Sequence, residues 1–293
     1  MKRLDIGELL LLSALWGGSF LFMRVAVPSL GPIWLIEGRV LVAGLALLPI
    51  MLRLGLGPQL RCHWRSLLVV GALNSALPFV LLAFASLSLP AGFTSILNAT
   101  APLFGTVIAV VWLKDKLTLP PMVGLVLGFM GVTILVGWKP LAVTPDFAWA
   151  VVAGLVAAVM YAIAAPYIKS NLSGVPPLVI ATGSQLGAAC LLVPALPFTV
   201  PTQLPTITAL ASLLFLALFS TSLAYMLYFR LIKNIGAARA LTVAYLIPLF
   251  AIVWGALFLQ EPLTPSMGVG CGLILLGTAA VNGVLPLKGQ PKS

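Results

Sequence analysis

Charge is what this chain has least of. Of its 293 residues, 8% are charged, 61% are hydrophobic, and six are acidic. Soluble domains carry about 25% charged residues, and a soluble protein of this length cannot hide so much apolar side chain from water. A mean hydropathy of +1.16 leaves lipid as the solvent that suits it. Histidine is nearly absent. His63 lies in a connection, so no metal site is expected. The three cysteines, Cys62, Cys190 and Cys271, are odd in number and far apart, which gives neither a disulfide framework nor a metal spacing. No Gly-x-x-x-x-Gly-Lys-Ser/Thr loop is present, which excludes ATP hydrolysis by that route. Scattered carboxylates and one loop histidine argue against a membrane-embedded enzyme acting on lipid-like substrates. No cofactor and no catalytic residue are expected.

What is abundant is long apolar sequence. Apolar runs fall at 7–27, 33–52, 66–87, 91–112, 121–138, 147–168, 176–196, 206–229, 237–259 and 266–285. Each is close to the roughly 20 residues a helix needs to cross about 30 Å of hydrocarbon. None alternates with period two, which makes strands a poor alternative. An all-α integral membrane protein of ten transmembrane helices is predicted. Its first run lacks a cleavage signature and reads as a retained span.

The net charge of +10 reflects scarce acids, with 16 basic residues against 6 acidic ones. It marks topology, not a nucleic-acid patch. With the N-terminus inside, Lys2, Arg3, Arg53, Arg61, Arg65, Lys114, Lys116, Lys169, Arg230, Lys233, Arg239, Lys288 and Lys292 face the cytoplasm. Arg24 and Lys139 lie outside, and Arg39 lies within a span. The positive-inside rule puts both termini in the cytoplasm. Trp34, Trp64, Trp112, Trp138 and Trp149 fall near the expected interfaces. The expected partners are the bilayer and a small-molecule substrate, with a monomer favoured.

A shift of 146 residues lays the chain on itself. Ala-Pro-Leu-Phe at 101–104 meets Ile-Pro-Leu-Phe at 247–250, and Gly124 and Gly131 meet Gly270 and Gly277. Between 91 and 135 there are 12 identities in 45 positions, where a composition this biased gives roughly 4 by chance. The halves are therefore 1–146 and 147–293. Five spans per half is an odd number, so the second half sits upside down. Inverted repeats are a mark of carriers whose site lies near the midplane between the halves. Such a cavity is expected to be lined by spans 1, 3, 4, 6, 8 and 9.

On these features the chain resembles the drug/metabolite transporter superfamily, in its EamA-type ten-helix branch. The carrying residues are Ala14-Leu-Trp-Gly-Gly-Ser-Phe20 and Gly38-Arg39-Val40, with Leu113-Lys-Asp-Lys-Leu-Thr118 and Leu259-Gln-Glu-Pro-Leu-Thr264 closing the fourth and ninth spans. The last two look like the family's "leucine-glycine-glutamate-x-leucine-threonine" ends, with Asp115 and Lys114 as departures in the first half. The resemblance implies an inner-membrane carrier, often an exporter of amino acids or related metabolites. Sugar, nucleotide-sugar and drug carriers share the fold.

Several in-span residues are candidates for the cargo site. Arg39 is costly in hydrocarbon, by roughly 2.5–3.5 kcal/mol unless paired or hydrated. Two roles fit it: a structural or snorkelling cation, or an anchor or gate for a substrate carboxylate. Glu37 is expected to pair with Arg24 or Arg39. Trp16, Tyr161, Tyr225 and Tyr245 are packing groups or cavity walls. Asn74, Asn98, Gln185, Ser220 and Thr221 share a middle depth, which suits interhelical hydrogen bonds or a polar lining. Pro78, Pro102, Pro166 and Pro248 are kinks or hinges. Gly124-x-x-x-Gly128 and Gly268-x-x-x-Gly272 are expected to pack closely within the bundle.

Overall fold

The computed structural model describes residues 3–111, 118–137 and 144–283. Lys2, Trp112, Lys114, Asp115, Lys116, Trp138, Lys139, Lys288 and Lys292 lie outside the described residues. Within them every regular element is helical. Seven helices are long and apolar enough to cross a membrane: α1 (Arg3–Arg53), α2 (Trp64–Ala85), α3 (Ala91–Val111), α4 (Leu119–Gly137), α5 (Pro145–Asn171), α6 (Pro177–Phe198) and α7 (Ile207–Ile235). Two shorter apolar helices follow, α8 (Val243–Leu259) and α9 (Pro265–Val281), of 17 residues each.

Straight, α1 would be about 76 Å long against about 30 Å of hydrocarbon. It is broken at Gly31, whose φ of 71° and ψ of 160° suit glycine alone, and Pro32 follows. The chain doubles back there. Met23 and Arg39, equally far from Gly31 in sequence, meet with Arg39 Nη1 3.9 Å from Met23 Sδ. The two arms match the runs predicted at 7–27 and 33–52.

Two helices carry a wide π turn. In α2 it spans Ala72–Ala76, just before Pro78. That proline has no N–H for the Asn74 carbonyl, and its ring would strike it; the wider turn makes room. In α7 the turn spans Leu218–Leu223 and no proline follows. Here Thr221 Oγ1 donates to the Leu216 carbonyl at 2.8 Å and Ser222 Oγ to the Ala217 carbonyl at 3.0 Å. Position 72 and position 218 are 146 residues apart, the offset of the sequence repeat. Helix α3 has a further break at Ala99–Thr100, one turn before Pro102. Helices α5 and α8 contain Pro166 and Pro248 without such a break.

Helix starts follow ordinary capping. The Thr144, Thr206 and Thr264 hydroxyls accept from the N–H groups of Phe147, Ala209 and Met267, satisfying donors that would otherwise be orphaned.

The core is built from both arms of α1 against α2, α5, α6, α7 and α8, with Met23, Leu35, Ile36, Val40, Ala157 and Leu216 fully covered. The outside is apolar too: Met122, Val126, Met130, Leu257, Phe258 and Leu276 are exposed. A surface of this kind faces lipid rather than water.

The most extensive helix contact joins α4 and α9. A Cβ on Gly124 would stand 2.7 Å from the Gly277 carbonyl, and one on Gly131 would stand 2.8 Å from the Gly270 carbonyl. Gly124 thus meets Gly277 and Gly131 meets Gly270, so the helices run antiparallel. Each glycine faces the repeat mate of the other. The expectation for Gly268 and Gly272 is corrected, because both have open space beside them. The close face of α9 is the stripe through Gly270 and Gly277, one heptad apart. Gly128 does pack within the bundle, against the Leu103 side chain.

Candidate functional site

The helices enclose a cavity of about 580 Å³. Its depth is set by α1, whose Trp16, Ser19, Phe20 and Met23 run along one wall. The π turns present Asn74 on one side and Ser220 and Thr221 on the other, and the α3 break presents Ser95, Asn98 and Pro102. Local backbone distortion therefore accompanies five polar lining residues, Asn74, Ser95, Asn98, Ser220 and Thr221. π turns recur at functional sites because they re-aim side chains within a helix.

Arg39 enters from the second arm of α1. Its residue exposure is 4%. Its Nε donates to Thr221 Oγ1 at 3.0 Å, and its guanidinium carbon lies 3.9 Å from the centre of the Phe79 ring. The Arg39 charge acts on the hydroxyls of Tyr161 and Tyr225, and the Asn74 side chain lies near the Tyr225 hydroxyl. Trp16 and Tyr228 stand 5.3 Å apart at 56°, and Tyr225 stacks on Phe229 at 5.9 Å. The lining thus combines aromatic rings with a guanidinium, amides and hydroxyls.

Of the predicted lining residues, Trp16, Arg39, Asn74, Asn98, Tyr161, Ser220, Thr221 and Tyr225 meet at this cavity, as do Pro102 and Pro248. Gln185, Tyr245, Pro78 and Pro166 are not among the described lining. Gln185 is fully buried and donates to Ser75 Oγ at 2.9 Å. The Tyr245 hydroxyl lies 3.5 Å from the Thr278 carbonyl and accepts from Asn282 at 3.0 Å. The wall is also wider than expected. The second arm of α1 adds Arg39, α6 adds Pro177 and Ser184, and α9 adds Leu275 and Thr278.

The expected pairing of Glu37 with Arg24 or Arg39 is not found. Glu37 Oε2 has no hydrogen-bond partner. Residues two apart on a helix point away from each other, which separates Glu37 from Arg39. Arg24 is engaged elsewhere: its Nη1 donates to the carbonyls of Ser86 and Leu87 at 2.5 and 2.7 Å, and its Nε lies 3.9 Å from Glu261 Oε1.

Glu261 lies in the connection between α8 and α9, outside the cavity lining. Gln260 takes a left-handed φ of 54° and ends α8. The next residue, Glu261, accepts the Ala91 N–H with both carboxylate oxygens, at 3.1 and 2.9 Å. It thus caps α3, where a negative charge suits the exposed N–H groups and the helix dipole. Burial pushes its carboxyl above the usual carboxylate range, while the Ala91 N–H and Arg24 pull it back. Gly255 leaves the room; a Cβ there would strike the carboxylate. The cavity lining stops at Met23, Phe79 and Leu82, and the Arg24–Glu261–Ala91 tie lies just beyond. In the other direction the lining reaches Ile168, Pro177, Tyr228 and Leu241. Near that end Glu8 pairs with Arg230 at 3.1 Å. Sequence reasoning placed Glu261 in a terminal motif and missed its cap. It also missed the second π turn, whose signal was the run Ser220-Thr221-Ser222.

An apolar exterior around a cavity that carries a guanidinium, amides and hydroxyls fits a membrane transporter. The EamA-like transporter family model matches residues 6–137 and again 148–283, and the chain belongs to that family; it is a transporter and not an enzyme. It is 26% identical to an uncharacterized transporter of Archaeoglobus fulgidus over 89% of this chain and 92% of that one. It is also 26% identical to a probable terminal-alkyne amino-acid exporter of Streptantibioticus cattleyicolor, covering 94% of this chain and 93% of that one. A crystal structure at 17% identity covers 96% of both chains with a TM-score of 0.64, a likeness of fold.

Proposed function

We propose that the chain is a secondary carrier of the inner membrane that exports amino acids or related amphipathic compounds by alternating access. The observation that carries this reading is a cavity with aromatic rings and a guanidinium, formed by residues from both 1–146 and 147–293. The two arms of α1 and helices α2–α9 make ten spans. Three features support their division into inverted halves: the antiparallel α4–α9 seam, π turns 146 residues apart, and two separate family matches. In such carriers the halves rock about a midplane site. The Arg24–Glu261–Ala91 tie then holds the outer mouth shut, and the cavity faces the cytoplasm, where both termini lie. The name of the Streptantibioticus relative supports amino-acid-like cargo.

Counterflow in proteoliposomes holding only this protein tests the reading, with amino acids, sugars and nucleotide-sugars as the panel. Exchange is expected for amino acids; exchange of sugars alone overturns the cargo. Orientation is tested at Cys62, which is exposed beside α2. In a Cys190→Ala, Cys271→Ala background, an impermeant maleimide should label it only after the cells are opened. Labelling of intact cells reverses the topology.

A further inference from the structure

We propose that the cavity reads its cargo through one carboxylate on Arg39 and does not require an α-ammonium. Its ligands are then monoanions with an apolar or aromatic body, including amino acids blocked at nitrogen. This rests on the carrier reading for its biological meaning, but it concerns binding alone.

The first observation is the state of Arg39. A guanidinium has five N–H donors. Arg39 gives one to Thr221 Oγ1 and a weak one to Met23 Sδ, and it lines the cavity. Among the described residues no carboxylate lies within ion-pair distance of it; the ion pairs found there are Arg24–Glu261 and Arg230–Glu8. A buried cation without a counter-ion is unfavourable, and a ligand carboxylate meeting the fork with two parallel hydrogen bonds offsets that cost.

The second observation is what surrounds it. Among the described lining residues Arg39 is the only charged side chain, with no Asp, Glu, Lys or His beside it. A ligand ammonium therefore finds no anionic partner. What it finds is neutral. The Asn98 Oδ1 and Ser95 Oγ atoms are buried without hydrogen-bond partners, and they serve an amide N–H or a hydroxyl as well as an ammonium. The Trp16–Tyr228 and Tyr225–Phe229 pairs offer ring faces to an apolar body.

Isothermal titration of the detergent-purified full chain tests this with phenylalanine, N-acetylphenylalanine, phenylalaninamide and phenylalaninol. Both carboxylates should bind with Kd values within about threefold of each other. The amide and the alcohol should bind about 10- to 100-fold more weakly, the loss expected when hydrogen bonds to a charged group go. In Arg39→Gln the carboxylate preference should vanish while ring-dependent binding persists. Comparable binding of amide and acid overturns the proposal. So does N-acetylphenylalanine binding tenfold worse than phenylalanine, or no binding by either acid. The ligand series on the unaltered protein decides the matter even if Arg39→Gln does not fold. Because no flux is measured, failure of the carrier reading shows up separately, as absence of counterflow.

Discussion

The π turns of α2 and α7 sit 146 residues apart and reach the same backbone shape by different means. In α2 a proline at position 78 forbids the regular bond. In α7 nothing is forbidden, since Ala224 stands where the repeat places Pro78. There the hydroxyls of Thr221 and Ser222 reach five residues back and donate to the carbonyls of Leu216 and Ala217. One distortion is imposed by exclusion, the other held by hydrogen bonds. The distortion outlasts the residue that causes it, as expected if the cavity needs side chains re-aimed at both places.

The α4–α9 seam is the opposite case, where both stretches use the same residue. Breaking it should have the largest effect. A Cβ on Gly277 would sit 2.5 Å from the Gly124 carbonyl and 2.7 Å from the Gly128 nitrogen, both backbone atoms. Gly277→Ala should cost about 3 kcal/mol or more through overpacking, because the obstructing backbone atoms cannot turn aside, read as a lower thermal midpoint in detergent. Gly268→Ala, with open space, should stay within about 0.5 kcal/mol of the parent or gain stability. Equal effects would refute the seam.

Next in size is Thr221→Val. It removes the acceptor of the Arg39 Nε and one hydroxyl holding the α7 turn. A hydrogen bond to a charged group is worth about 1.5–3 kcal/mol, and counterflow should fall with stability; Thr221→Ser should restore both. A third change acts on shape more than on stability. Pro78→Ala permits the regular bond in α2 and should cost less than about 1 kcal/mol. It should nonetheless reduce counterflow, because Asn74 turns with the relaxed helix. Hydrogen exchange at residues 76–80 would show the new bond. Ser222→Ala should do least, about 0.6 kcal/mol, because Thr221 still holds the turn. A larger effect from Ser222→Ala than from Thr221→Val would invert this account.

Much of the cavity was legible in the linear order. Trp16, Asn74, Asn98, Ser220 and Thr221 share a depth that hydropathy alone reveals, and the structure brings them to one cavity. Gln185 shares that depth but points at Ser75 instead, because depth says nothing of rotation about the helix axis. Tyr245 fails for the same reason, turning toward Asn282. Gly268 and Gly270 differ by two residues, and only neighbours in space decide which of the two faces α4.

Composition and run length by themselves determined that this chain lives in lipid as helices, because transfer into hydrocarbon is a local, additive property of each segment. The 146-residue offset determined which positions correspond. Only the tertiary structure decided who meets whom. Glu261 caps a helix that starts 170 residues earlier, and Arg39 bonds to Thr221, 182 residues on, while Glu37 pairs with neither arginine. Those pairings depend on how helices rotate and cross when packed, and no period along the chain encodes that.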